Sequence, residues 1–199
     1  HVLSRPFNEL TEEIAKIRAS DPAAIIIQGP QGSGKTATKN GIKNKFQTEK
    51  NVAIIHVNLL NLKMSSLTFS IIDNAQEEKF IDDAFLQKIN YSNTDLEKYT
   101  NPDLIKKIIQ TVDEILSKND FGVLIIDEMD IIAQPAYHNK QDQMEFVHRI
   151  KNILDKIAES KTVQKKSFCT ILAQTDKSSK DFQDYLQSIH NPMASRVRK

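Results

Sequence analysis

Glycine, lysine and threonine residues near the N-terminus have the spacing of a phosphate-binding loop. Residues 29–36 read Gly-Pro-Gln-Gly-Ser-Gly-Lys-Thr and fit the pattern G-x-x-x-x-G-K-[ST]. Glycines allow backbone geometry that is closed to other residues, so successive N–H groups can point at phosphate oxygens. Lys35 would reach the β- and γ-phosphates of a nucleotide, and the Thr36 hydroxyl would ligate Mg²⁺. The predicted nucleotide-binding residues are Gly29, Pro30, Gln31, Gly32, Ser33, Gly34, Lys35, Thr36 and Ala37.

Two adjacent acids, Asp127 and Glu128, follow an apolar run at 123–126. Ligands of a parallel sheet lie beyond the carboxyl ends of its strands, so both acids are expected beside the phosphate loop. Asp127 would hold Mg²⁺ through its water shell. Glu128 would polarise a water for attack on the γ-phosphate. The alternative is a pair of acids that only end the strand and cap the next turn.

A further polar group is predicted at the end of another apolar run, 168–173. Thr175 is the first candidate for contact with the γ-phosphate or the attacking water, and Gln174 is the second. The alternative is an ordinary polar end of a strand.

These residues must be positioned by strands that alternate with helices. The predicted strands are 24–28, 52–57, 123–126 and 168–173, and the predicted helices are 7–19, 35–46, 65–76, one starting at Asn101-Pro102, and 146–157. Each strand is apolar throughout, which is typical of a parallel sheet covered by helices on both faces. The fold class is therefore α/β, with a phosphate loop after the first strand. Residues 78–100 are predicted to be irregular, and Asn101 to be the cap of its helix.

Composition limits the function classes. The chain of 199 residues has 39% hydrophobic and 27% charged residues and a net charge of +1. A charge this small produces no global attraction to nucleic acid or acidic lipid. The only cysteine, Cys169, excludes an internal disulfide and lies in an apolar strand, where buried packing is expected. No run of eighteen apolar residues is present, so no membrane partner is predicted.

Together these motifs resemble the AAA+ ATPases, and more narrowly the initiator clade. Within that clade the chain is most similar to the fourth subunit of the eukaryotic origin recognition complex. Four stretches carry the resemblance: 27–36, 56–61, 126–133 and 194–197. Residues 34–38 also look like the loop of the largest initiator subunit, so the sequence does not decide between these two subunits.

The resemblance implies one AAA+ core over 1–199, truncated before the helical lid and the winged-helix domain of the family. It implies ATP and Mg²⁺ as cofactors, other origin recognition subunits as partners, and a nuclear location. Contact with DNA would come through the full assembly. Arg196 would act in trans, on the γ-phosphate held by a neighbouring subunit, and slow or absent hydrolysis is expected. Alternatives are an ATP-hydrolysing clamp loader or remodeller, and a nucleotide-switch signalling ATPase.

Overall fold

Five parallel strands form the sheet of this protein within the part of the chain that the structure describes. The structure is a computed structural model, and it describes residues 5–20, 22–29, 34–61, 67–92, 100–129, 140–175 and 194–198. The strands are β1 (Ala23–Gly29), β2 (Val52–Asn58), β3 (Phe121–Asp127), β4 (Phe168–Thr175) and β5 (Ala194–Arg198). Their order in the sheet is β2-β3-β4-β1-β5, and every neighbouring pair is parallel.

Helices connect the strands along the chain. They are α1 (Arg5–Arg18), α2 (Lys35–Gln47), α3 (Leu67–Glu77), α4 (Asp83–Lys88), α5 (Asn101–Lys118), α6 (Lys140–Glu159) and α7 (Lys161–Lys166), with a short 3₁₀ helix at Leu59–Asn61. None of the helices in the described segments is long and apolar enough to cross a membrane.

The helices lie on both faces of the sheet, which confirms the predicted α/β architecture. Side chains alternate between the two faces of a strand. On β3, Val123 and Ile125 pack into one core with α1 and α2, whereas Leu124 and Ile126 pack into the other core with α3, α5, α6 and α7. All seven residues of β3 are buried, because this strand lies inside the sheet and is covered on both sides.

Some local predictions were wrong. The segment predicted to be irregular contains α4, a helix of six residues that is too short for apolar periodicity to reveal. The cap of α5 is Thr100 rather than Asn101: the Thr100 hydroxyl accepts from the backbone N–H of Asp103, and the Asp103 carboxylate accepts from the backbone N–H of Thr100. Helix α7 was not predicted.

The strand order decides where the predicted site forms. Strand β4 lies between β1 and β3, so the end of β4 separates the phosphate loop that follows β1 from the acids that follow β3. Because the strands are parallel, all their carboxyl ends lie at the same end of the sheet. We call this end, with the first turn of α2, the carboxyl-end site.

Candidate nucleotide site

The N-terminus of α2 has no local anion of its own. Its N-cap residue, Gly34, has φ of +84° and makes no side-chain capping bond, and the first turn contains no acidic residue. A left-handed φ is tolerated by glycine and strains other residues. The first N–H groups of a helix have no partner within the helix, and together with the positive end of the helix dipole they attract a bound phosphate.

The predicted phosphate-contacting residues are only partly within the described chain. Gly29 ends β1, Lys35 begins α2 with partial exposure, and Thr36 and Ala37 are exposed in its first turn. Pro30, Gln31, Gly32 and Ser33 lie outside the described residues, so their contacts stay predictions.

Asp127 and Glu128 follow one another at the carboxyl end of β3 but occupy different environments. The Asp127 side chain is 8% exposed, whereas Glu128 is half-buried. Glu128 has φ of +59°, and its backbone N–H donates to Asp127 Oδ1 at 2.8 Å. A left-handed backbone costs a non-glycine residue about 1–2 kcal/mol. This bend turns the chain sharply after the strand, and the bond to Asp127 helps to hold it.

The structure adds a site residue that the sequence reasoning missed. The ammonium group of Lys39, in the second turn of α2, forms an ion pair with Asp127 Oδ2. Both side chains are buried, at 4% and 8% exposure. Two signals in the sequence could have indicated the pair. Lys39 is four residues after Lys35 and so lies on the same side of the helix, and alternation along β3 places Asp127 on the face that carries α2.

His56 is the second neighbour of Asp127. Its Nε2 atom is 3.8 Å from Asp127 Oδ2, and its backbone N–H donates to Asn74 Oδ1 at 3.1 Å. Burial lowers the pKa of His56 below its ordinary value, and the positive charges of Lys39 and Lys43 lower it further. The imidazole is therefore held in its neutral form near neutral pH, and the charge that faces Asp127 comes from Lys39.

The ends of β4 and β5 carry the remaining predicted residues. Thr175 pairs in register with Gly29, so its backbone lies at the carboxyl-end site beside the start of the phosphate loop, where a contact with the γ-phosphate was predicted. Gln174 pairs with Gln28. Arg196 lies inside β5, opposite Ile25. Strand pairing with β1 recruits this segment, and a short polar run carries little strand signal of its own.

Cys169 is fully buried, as predicted. Burial strongly raises the pKa of its thiol, so it stays protonated and packs as a small apolar side chain.

The donor set at the carboxyl-end site fits a nucleotide phosphate with a hard cation. Thr36 offers an oxygen ligand, which Mg²⁺ prefers, whereas Asp127, the other predicted ligand, has its Oδ2 atom paired with Lys39. The described residues contain no group of three or more His, Cys, Asp or Glu side chains that could hold a metal ion. A cation here would take most of its ligands from phosphate and water, which is usual for Mg²⁺.

Comparison with known proteins gives one family match. The family model described as AAA domain matches residues 17–180. Curated protein sequences give no significant match. Among solved structures, the chain is similar to Cdc6p from Pyrobaculum aerophilum, with 12% identity, a TM-score of 0.49, and coverage of 93% of this chain and 43% of that one. It is also similar to Rif2 in complex with the C-terminal domain of Rap1, with 8% identity, a TM-score of 0.48, and coverage of 96% and 52%. The chain thus spans about half the length, or less, of these two proteins.

Proposed function

We propose, from the premise that this chain belongs to the AAA domain family, that it is the ATP-binding core of an origin-recognition subunit. One observation carries the nucleotide-binding part. The uncapped N-terminus of α2 and the acids after β3 both lie at the carboxyl-end site, with the end of β4 between them. ATP phosphates would bind at the helix N-terminus and Lys35, and Mg²⁺ bound with them would be held by Thr36, phosphate and water. Glu128 would orient the attacking water where hydrolysis occurs.

The test of nucleotide binding uses two lysines of the same helix. Lys35→Ala should weaken ATP binding at least about tenfold, because the phosphates lose their nearest cation. Lys43→Ala is the matched control, since Lys43 lies two turns further along α2 and pairs with Glu78 at 3.0 Å. Calorimetric titration of ATP measures both variants against the wild type. Equal affinities for the wild type and Lys35→Ala would refute the site.

The initiator role is supported by the four stretches of sequence named above. In that role ATP binds between neighbouring subunits and stabilises the assembled state, because it contacts both of them. Other origin recognition subunits are the proposed partners, DNA is bound by the whole assembly, and the nucleus is the proposed location.

The backbone position of Arg196 supports action on a neighbour. Arg196 pairs with Ile25, four residues before Gly29, which corresponds to about 13 Å along the strand. Strand β5 is also an edge strand among the described strands. An arginine placed there lies far from the nucleotide of its own chain, whereas an edge can face a second subunit.

Arg196→Ala should leave ATP affinity of the isolated chain unchanged and weaken ATP-dependent assembly with partner subunits. Arg196→Lys should fail as well, since a lysine cannot reproduce the planar fork of a guanidinium group. Size-exclusion chromatography of the reconstituted subunits, with and without ATP, provides the measurement. Assembly that is indifferent to ATP and to Arg196 would contradict the role. Brisk ATP hydrolysis by the monomer would instead favour the alternative function, an ATP-hydrolysing clamp loader or remodeller.

A further inference from the structure

Lys39 occupies a position of α2 where an apolar residue is expected. It lies three residues before Ile42 and seven before Phe46, and these two side chains form the buried stripe of the helix in the core against the sheet. Lysines are almost never fully buried unless they are paired. The burial of Lys39 therefore requires an anion at the end of its side chain.

That anion is Asp127, the carboxylate that the sequence analysis predicted to hold Mg²⁺. The Lys39 ammonium contacts Asp127 Oδ2, while Asp127 Oδ1 accepts the backbone N–H of Glu128. Both oxygens of Asp127 thus have a positive or donating partner before any ligand binds.

We propose that Lys39 is the built-in counter-ion of Asp127 and takes the place of Mg²⁺ at this carboxylate, so that nucleotide binding by this chain requires no divalent cation. The inference rests on the proposed nucleotide site. A nucleoside triphosphate that approaches two ionised carboxylates is repelled unless a cation lies between its phosphates and the carboxylates. Here Lys39 neutralises Asp127 from inside the protein, so that of these two carboxylates Glu128 keeps its charge uncompensated by this pair. The same pair keeps Asp127 from serving as a free metal ligand, which is consistent with slow hydrolysis.

The primary experiment compares ATP affinity of the wild type in MgCl₂ and in EDTA by calorimetry. We expect the two affinities to agree within about threefold. Lys39→Met keeps most of the length of the side chain and removes its charge. An uncompensated charge near the phosphates, at an effective dielectric of about 20, changes affinity by a factor of roughly ten to a hundred. Lys39→Met should therefore lose at least about tenfold in affinity on addition of EDTA, but not in MgCl₂.

Two further variants separate charge from structure. Lys39→Met combined with Asp127→Asn leaves two neutral side chains of similar size, and its ATP affinity should again be independent of Mg²⁺. Lys43→Met makes the same chemical change one turn further along α2, where the ion pair with Glu78 is partly exposed, and it should behave as the wild type. A second readout needs no nucleotide: MgCl₂ alone should raise the melting temperature of Lys39→Met and leave that of the wild type unchanged.

Three outcomes would overturn the inference. The first is a wild-type affinity for ATP that falls about tenfold or more in EDTA. The second is a double variant that still requires Mg²⁺, and the third is stabilisation of the wild type by MgCl₂ alone. Failure of the proposed function gives a different result, because ATP would then bind neither wild type nor variants under any condition. If Lys39→Met does not fold, the wild type and the double variant still decide the question.

Discussion

Asp127→Asn removes the negative charge from the buried pair with Lys39 and keeps the shape of the side chain. Lys39 is 4% exposed, so its ammonium group would remain in the interior after losing its carboxylate partner Asp127. Loss of one partner from a buried ion pair costs about 3–5 kcal/mol. The alternative for the protein is to deprotonate the lysine, and releasing a proton from an ordinary lysine at pH 7 costs about 4–5 kcal/mol. Both routes give the same order of destabilisation.

For a chain of this size, a loss of 1 kcal/mol lowers the melting temperature by about 2–4 °C. Asp127→Asn should therefore melt roughly 6–20 °C below the wild type. The combined variant Lys39→Met with Asp127→Asn should recover most of this loss, because replacing a whole buried pair by neutral groups is often close to neutral. Thermal denaturation followed by circular dichroism at pH 7, without nucleotide or metal, measures all three proteins.

The matched control is Glu78→Gln, which breaks the pair of Lys43 and Glu78. These side chains are 32% and 29% exposed, and their atoms are 3.0 Å apart. Pairs in contact with water contribute about 1 kcal/mol or less, so the melting temperature should fall by no more than about 4 °C. An Asp127→Asn protein that melts within this range of the wild type would refute the reasoning. It would show that the Lys39 ammonium reaches water and does not depend on Asp127.

Two other changes test the fold around the site. Gly122→Ala should destabilise the chain by about 1–3 kcal/mol in a denaturant titration, because its Cβ would lie 2.5 Å from two atoms of the buried Phe168 ring; an unchanged unfolding midpoint would mean that the ring can move aside. The pKa of His56 is lowered by burial and then by Lys39 and Lys43, so below about pH 6.5 the unfolded chain takes up a proton that the folded chain does not. Stability should thus fall between pH 7.5 and pH 5.5 by less in His56→Gln than in the wild type, as measured by melting temperature, and equal losses would contradict the lowered pKa.

The sequence by itself predicted the layered α/β fold, which the structure confirms, and it supplied the phosphate loop and the acids as predictions of a site. These signals are local: the G-x-x-x-x-G-K-[ST] spacing needs no knowledge of distant residues, and apolar runs that end at Asp127 or before Gln174 predict buried parallel strands. Cys169 was correctly placed in the core for the same reason. Where the local signal was short, as in the six residues of α4, periodicity could not indicate a helix.

The order of the strands and the contacts between elements were decided only by the tertiary structure. Helical spacing places Lys39 on the side of Lys35, but it does not say which strand that side faces. The pair with Asp127 forms because α2 packs on the face of the sheet to which the odd-numbered residues of β3 point. Arg196 likewise becomes part of a strand only through its pairing with β1. Such contacts join residues far apart in the chain, and their free energy exists only once packing has brought them together.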